Sequence, residues 1–155
     1  MQSYTWFYSL AQNLDAAQEA ALKADFDQFL AQWNSHGTPV DGLVQLRYGR
    51  FVVIQSNPSE ARPSGCSIDS LKRSIGQILQ KHGLEVLDSS HVFYRSGTDI
   101  HAAHFKSLSA LVKDGSLTSD SIVFDHSLAQ SDDLSLWELP LKQTWMKRYL
   151  PTVRQ

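Results

Sequence analysis

Val40-Asp41-Gly42-Leu43-Val44-Gln45-Leu46-Arg47-Tyr48-Gly49-Arg50-Phe51-Val52-Val53-Ile54-Gln55-Ser56 is the stretch that decides the fold. Val44, Leu46 and Tyr48 alternate with Leu43, Gln45 and Arg47, which is the period-two signature of a strand with two different faces. Phe51, Val52, Val53 and Ile54 form a second apolar strand, within a return segment over residues 50–56. Between the two, Gly49-Arg50 fits a two-residue hairpin turn with glycine at its first central position.

Working outward, both neighbours of this hairpin read as helices. Asp15 is an N-cap with Gln18 three residues later, as in a capping box. From residue 16 to 33, Leu22, Phe26, Phe29, Leu30 and Trp33 recur at helical spacing, and His36-Gly37 provides a left-handed stop before Pro39. After a polar loop at residues 57–65, Ile68, Leu71, Ile75, Ile78 and Leu79 mark a second helix over residues 67–82, stopped by His82-Gly83. The aromatic Tyr4–Leu10 segment precedes the first helix as a strand, and residues 84–87 and 91–95 follow the second as strands. The order β-α-β-β-α-β predicts an α+β fold with a ferredoxin-like start, a mostly antiparallel sheet and helices on one face. A C-terminal extension follows: a helix over residues 102–112, a strand over 121–124 and a last short helix over 140–149. One globular domain, residues 1–155, is expected, and a chain of this length can bury a sizeable core.

Composition narrows the function classes. Apolar residues are 42% and charged residues 19%, with a net charge of −2. That is a globular balance, and it makes nucleic acid an unexpected partner. A lone cysteine, Cys66, cannot form an internal disulfide, so a reducing compartment is expected. The N-terminus has no basic and apolar leader pattern, and no apolar run approaches membrane-span length. A soluble cytoplasmic protein, without membrane association, is the expectation.

Ser64-Gly65-Cys66-Ser67-Ile68-Asp69 is the segment closest to chemistry. It lies at the start of the second helix, where unpaired N–H groups and the helix dipole favour anions or a thiolate. Cys66 as a nucleophile or redox sensor, with Ser64, Ser67, Asp69 and Arg62 around an anion, is one reading. The blander one, which we prefer, makes Cys66 a small buried residue and the serines a capping cluster. No Gly-x4-Gly-Lys-Ser/Thr loop occurs in the chain, and the distance from Cys66 to Lys72 and Arg73 does not fit a phosphatase loop.

Three further groups carry weaker signals. Asp99, His101 and His104, with Asp125-His126 downstream, resemble part of a metal set if a helix brings the histidines to one face. A solvated or capping role is the preferred reading, and neither a metal nor any other cofactor is expected. Arg47, Tyr48, Arg50 and Phe51, with Tyr94 and Arg95, mix basic and aromatic groups as single-strand binders do. A hairpin with one buried face needs no ligand to account for them. At the C-terminus, Trp137, Trp145, Arg148 and Tyr149 bring large apolar area that docks on the domain or forms a partner interface.

Trp33-x-x-His36-Gly37, Tyr48-Gly49-Arg50-Phe51, Ser64-Gly65-Cys66-Ser67-Ile68-Asp69, Trp137-Glu138-Leu139-Pro140 and Thr144-Trp145-x-x-Arg148-Tyr149 occur in this order along the chain. Together they resemble a largely uncharacterised family of small bacterial proteins of the Bacteroidetes type. Some of its members are labelled transporter ATPases, a label that a chain without a Walker loop does not support. The resemblance implies a shared fold and leaves function open. The leading expectation is a non-enzymatic binding or protein-interaction module, acting as a homo-oligomer or with a protein partner. The alternatives are an enzyme or a redox or anion sensor using Cys66 and, less favoured, single-stranded nucleic-acid binding by the hairpin face.

Overall fold

A computed structural model describes residues 4–57, 63–125 and 138–151. The chain is α+β with antiparallel sheets, and it forms two compact units, residues 1–87 and 88–155.

In the first unit, β1 (Tyr4–Leu10) leads into α1 (Ala16–Leu30), followed by a short ribbon of β2 (Asn34–Ser35) and β3 (Thr38–Pro39). The hairpin β4 (Gly42–Arg47) and β5 (Phe51–Ser56) comes next, then α2 (Gly65–Lys81) and β6 (Val86–Leu87). The sheet order is β4-β5-β1-β6 with every pair antiparallel. Leaving the ribbon aside, this is the ferredoxin-like βαββαβ arrangement that the sequence predicts. Leu22, Phe26 and Leu30 of α1 and Leu71, Ile75 and Leu79 of α2 lie four residues apart, so each helix buries one narrow stripe. Both stripes join Val44, Val52, Ile54 and Leu10 in a single core on one face of the sheet.

Arg50 fixes the hairpin against the start of the chain. The residue is 7% exposed. Nε donates to the Leu10 carbonyl at 2.7 Å, and Nη2 donates to the Ala11 carbonyl at 3.2 Å. Leu10 N–H donates to Arg50 O at 2.8 Å, and Leu14 N–H donates to Gly49 O at 2.7 Å. Burial pulls the Arg50 pKa below its ordinary value, but a guanidinium remains protonated in a protein. The turn is displaced by one residue from the sequence expectation. Its central residues are Tyr48 and Gly49, both at positive φ (57° and 62°), with Arg50 N–H closing onto Arg47 O at 3.0 Å. A Cβ on Gly49 would stand 2.8 Å from the Leu14 carbonyl, so glycine is required by position as well as by φ.

The first helix stops at Leu30, three residues short of the expected end at Trp33. Trp33 leaves the helix to donate its indole N–H to Ser67 O at 2.9 Å and to meet Trp6 edge-on. His36-Gly37 therefore does not cap α1. Both residues have positive φ and form the turn of the β2–β3 ribbon. The α2 end is as expected: Gly83 N–H donates to Gln80 O and Leu84 N–H to Leu79 O, the paired bonds of a Schellman cap. Asp25 of α1 accepts from Lys81 and contacts His82 Nε2 at 2.7 Å. The hydrogen bond from His82, followed by that from Lys81, holds the Asp25 carboxyl below its ordinary range.

The second unit departs further from expectation. The strands β7 (His91–Ser96), β8 (Asp99–His104), β9 (Ile122–Phe124) and β10 (Glu138–Pro140) form a sheet in the order β10-β9-β7-β8. Residues 102–104, expected in a helix, belong to β8 because the two-residue loop Gly97-Thr98 turns the chain back onto β7. Of the helix expected over residues 102–112, the part within α3 (Leu108–Lys113), which follows a 3₁₀ turn, is α-helical. The last helix is likewise replaced. Glu138–Pro140 is an edge strand, where proline is tolerated, and two 3₁₀ turns follow, Leu141–Gln143 and Trp145–Tyr149. Thr144 separates them with extended backbone, its Oγ1 accepting from Met146 N–H. Val92, Leu108, Leu117, Val123, Leu141 and Met146 make this unit's core.

Replacing Arg50 by alanine leaves the Leu10 and Ala11 carbonyls without their charged donor. Urea unfolding is expected to show a loss of about 3 kcal/mol, with Arg50→Lys recovering only a minor part. A loss under about 1 kcal/mol would show that the pin is not needed.

Candidate functional site

The sequence-predicted anion site lies on the first turn of α2. Ser64 is the N-cap: its Oγ accepts from Ser67 N–H at 3.2 Å, while Ser67 Oγ accepts from Ser64 N–H at 2.7 Å. Ser67 Oγ also donates to Ser64 O at 2.9 Å. The two serine side chains are thus committed to each other's backbone, which matches the capping reading. Cys66 is exposed, not buried as we expected, because the second helical position points away from the Leu71, Ile75 and Leu79 stripe. Asp69 is exposed on the same turn, and Arg62 lies outside the described residues.

His101 and His104 do not converge, although His104 meets His91 of β7 edge-on with ring centroids 5.6 Å apart. His101 and His104 sit on β8 three residues apart, an odd spacing that sends them to opposite faces of a strand. His101 stacks on Tyr94 with ring centroids 5.7 Å apart, and His104 stacks on Phe105 at 4.8 Å. His126 lies outside the described residues. Among the described residues no three histidine, cysteine or acidic groups are placed to hold a metal.

Of the basic and aromatic hairpin set, Tyr48 is 47% exposed at the turn. Arg50 and Phe51 are buried, and Arg95 pairs with Glu138 at 2.6 Å. At the C-terminus, Trp145 is 40% exposed and meets Tyr149 edge-on at 6.3 Å. The Arg148 guanidinium lies 5.3 Å from the Trp145 ring and 5.2 Å from the Tyr149 ring. Met146 between them is buried, so this segment is docked through one side while Trp145 stays in solvent. Trp137 lies outside the described residues.

A feature absent from the sequence reading emerges at the sheet edge. β4 hydrogen-bonds to β5 on one side and to no strand on the other among the described residues. Beside it runs a groove of about 510 Å³ between β4 and α1. Its strand side is Val44, Gln45, Leu46 and Arg47, with Arg47 Nε donating to Gln45 Oε1 at 3.2 Å, and its helical wall is Ala16, Glu19, Ala20 and Lys23. Alanine at 16 and 20 keeps the wall low next to the strand. Leu43, on the opposite face of β4, is 44% exposed. An antiparallel edge strand presents the N–H and C=O of every second residue outward. Residues 42–46 carry no proline, and their register with β5 is continuous, without a bulge. Comparison with family models, curated proteins and solved structures finds no match to this chain, so this geometry stands by itself. The alanine pair Ala16 and Ala20, one turn apart at the start of α1, is the trace it leaves in the sequence.

Ser64→Ala is expected to cost about 1 kcal/mol of stability through loss of the cap. Cys66→Ala should change stability by less than about 0.5 kcal/mol, as an exposed position does. The Cys66 thiol should label in the native protein as readily as in urea. Labelling only after unfolding would contradict its placement.

Proposed function

We propose that the protein is a non-enzymatic interaction module that takes up an extended partner segment along β4. The one-sided pairing of β4 carries this proposal. A segment added there gains main-chain hydrogen bonds, and its alternate side chains enter the groove between Val44, Leu46 and the alanines of α1. Affinity comes from the backbone and selectivity from the groove. An enzyme or sensor built on Cys66 has less support: the serine oxygens that would line its anion site are engaged in the capping box.

The test is titration of the isotope-labelled protein with a peptide of alternating apolar residues, followed by NMR. Shifts centred on residues 42–46 and on Ala16 and Ala20 are expected. A peptide of the same composition with a central proline should not bind, because it cannot form the ladder. Ala20→Trp should weaken binding about tenfold, equivalent to about 1.4 kcal/mol, by filling the groove from an exposed position. Equal binding of both peptides, or shifts elsewhere, would rule out strand addition.

A further inference from the structure

We propose that the second unit holds a pocket for a small neutral aromatic molecule that carries one N–H or O–H donor, with His91 Nε2 as the acceptor. This site is separate from the β4 edge and does not depend on strand addition there.

The pocket is a cavity of about 340 Å³ where the start of β7 (His91, Val92) meets the end of β9 (Phe124, then Asp125) and the last 3₁₀ turn (Trp145, Met146). Val92, Phe124 and Met146 are buried, while Trp145 keeps 40% of its surface in solvent. Ser89 and Asp125 add polar groups to the wall, and Asp125 is already partnered within the chain. Mostly apolar walls with one well-placed polar group are the usual build of a small-ligand site.

Asp88 decides what His91 offers. Its Oδ1 accepts from Ser90 N–H at 3.0 Å and from Ser90 Oγ, and it lies 3.2 Å from His91 Nδ1. The Ser90 side-chain bond, then the Ser90 backbone bond and the one from His91, hold the Asp88 carboxyl below its ordinary range. A carboxylate only accepts, so His91 Nδ1 carries the proton and Nε2 of the neutral ring keeps its lone pair. Among the described residues none hydrogen-bonds to that Nε2. Asp88 holds the Nδ1 edge from outside the cavity wall, which leaves the Nε2 edge to the cavity. His104 meets the same ring edge-on at 5.6 Å and helps to hold its plane. The His91 side chain is 29% exposed, so a ligand can reach it.

These groups select the ligand. An acceptor nitrogen has no proton to give an anion. A cation would exchange its hydration for Val92, Phe124 and Met146 at a high cost. A neutral donor satisfies Nε2, and an aromatic body covers the exposed part of the Trp145 ring.

The test is NMR of the full chain with two probes of the same shape: indole, which carries an N–H, and benzofuran, which has oxygen in its place. Before any probe is added, long-range ¹H–¹⁵N spectra should show His91 as the Nδ1–H tautomer. Indole should bind saturably, shifting His91 Nε2, Val92, Trp145 and the Met146 methyl group. Benzofuran should bind about tenfold more weakly, the equivalent of one lost hydrogen bond. His91→Phe keeps a ring in place and removes the acceptor, so indole should fall to the level of benzofuran with circular dichroism unchanged. The Nε2–H tautomer, equal binding of both probes, or a His91→Phe chain that still prefers indole would each overturn the proposal. So would shifts centred elsewhere, or no saturable indole binding.

Discussion

The architecture of the first unit depends on a buried cation. Arg50 joins the tip of the β4–β5 hairpin to the Leu10 and Ala11 carbonyls, where β1 ends. This contact, together with the Leu14-to-Gly49 backbone bond, sets β5 beside β1 and fixes where α1 begins. Once β5 lies between β4 and β1, β4 has a strand partner on one side only among the described residues. The bare edge is thus a consequence of the same interaction that closes the fold. A buried guanidinium is tolerable here because its donors meet backbone carbonyls that strand pairing would otherwise leave unsatisfied.

Trp33 gives the second constraint. By leaving α1 early it carries its indole across to the first turn of α2, where Ser67 O accepts from it. Gly42, at the start of β4, makes room: a Cβ there would lie 2.9 Å from Leu30 and 3.1 Å from the Trp33 ring. The start of the edge strand, the end of α1 and the N-terminus of α2 are therefore adjusted to one side chain. The Ser64–Ser67 box completes that junction, which gives both serines a structural role.

Much of this was legible in the sequence, for identifiable reasons. Leu22, Phe26 and Leu30, and Leu71, Ile75 and Leu79, carry an unambiguous helical period, and the β4–β5 segment carries a strand period. Their order sufficed for the βαββαβ topology. The second unit was less legible because β8 lacks the usual marks. Ala102, Ala103 and His104 are neither β-branched nor alternating in polarity, and only the tight Gly97-Thr98 turn commits them to a strand. The hairpin turn was misplaced by one residue because Tyr48, a residue that seldom adopts positive φ, does so here. The β4 groove was not legible at all. Whether a strand lies at an edge is a property of sheet order, and a pair of alanines in a helix signals space only once the neighbouring strand is known.

Hydrogen exchange along β4, measured on the intact chain with and without a peptide of alternating apolar residues, tests the central claim most directly. Outward-facing amides among residues 42–46 should exchange fast in the chain alone and become protected as the peptide is added, while the amides bonded to β5 stay protected throughout. Outward amides that stay fast at saturating peptide, or that are already protected without it, would contradict the account.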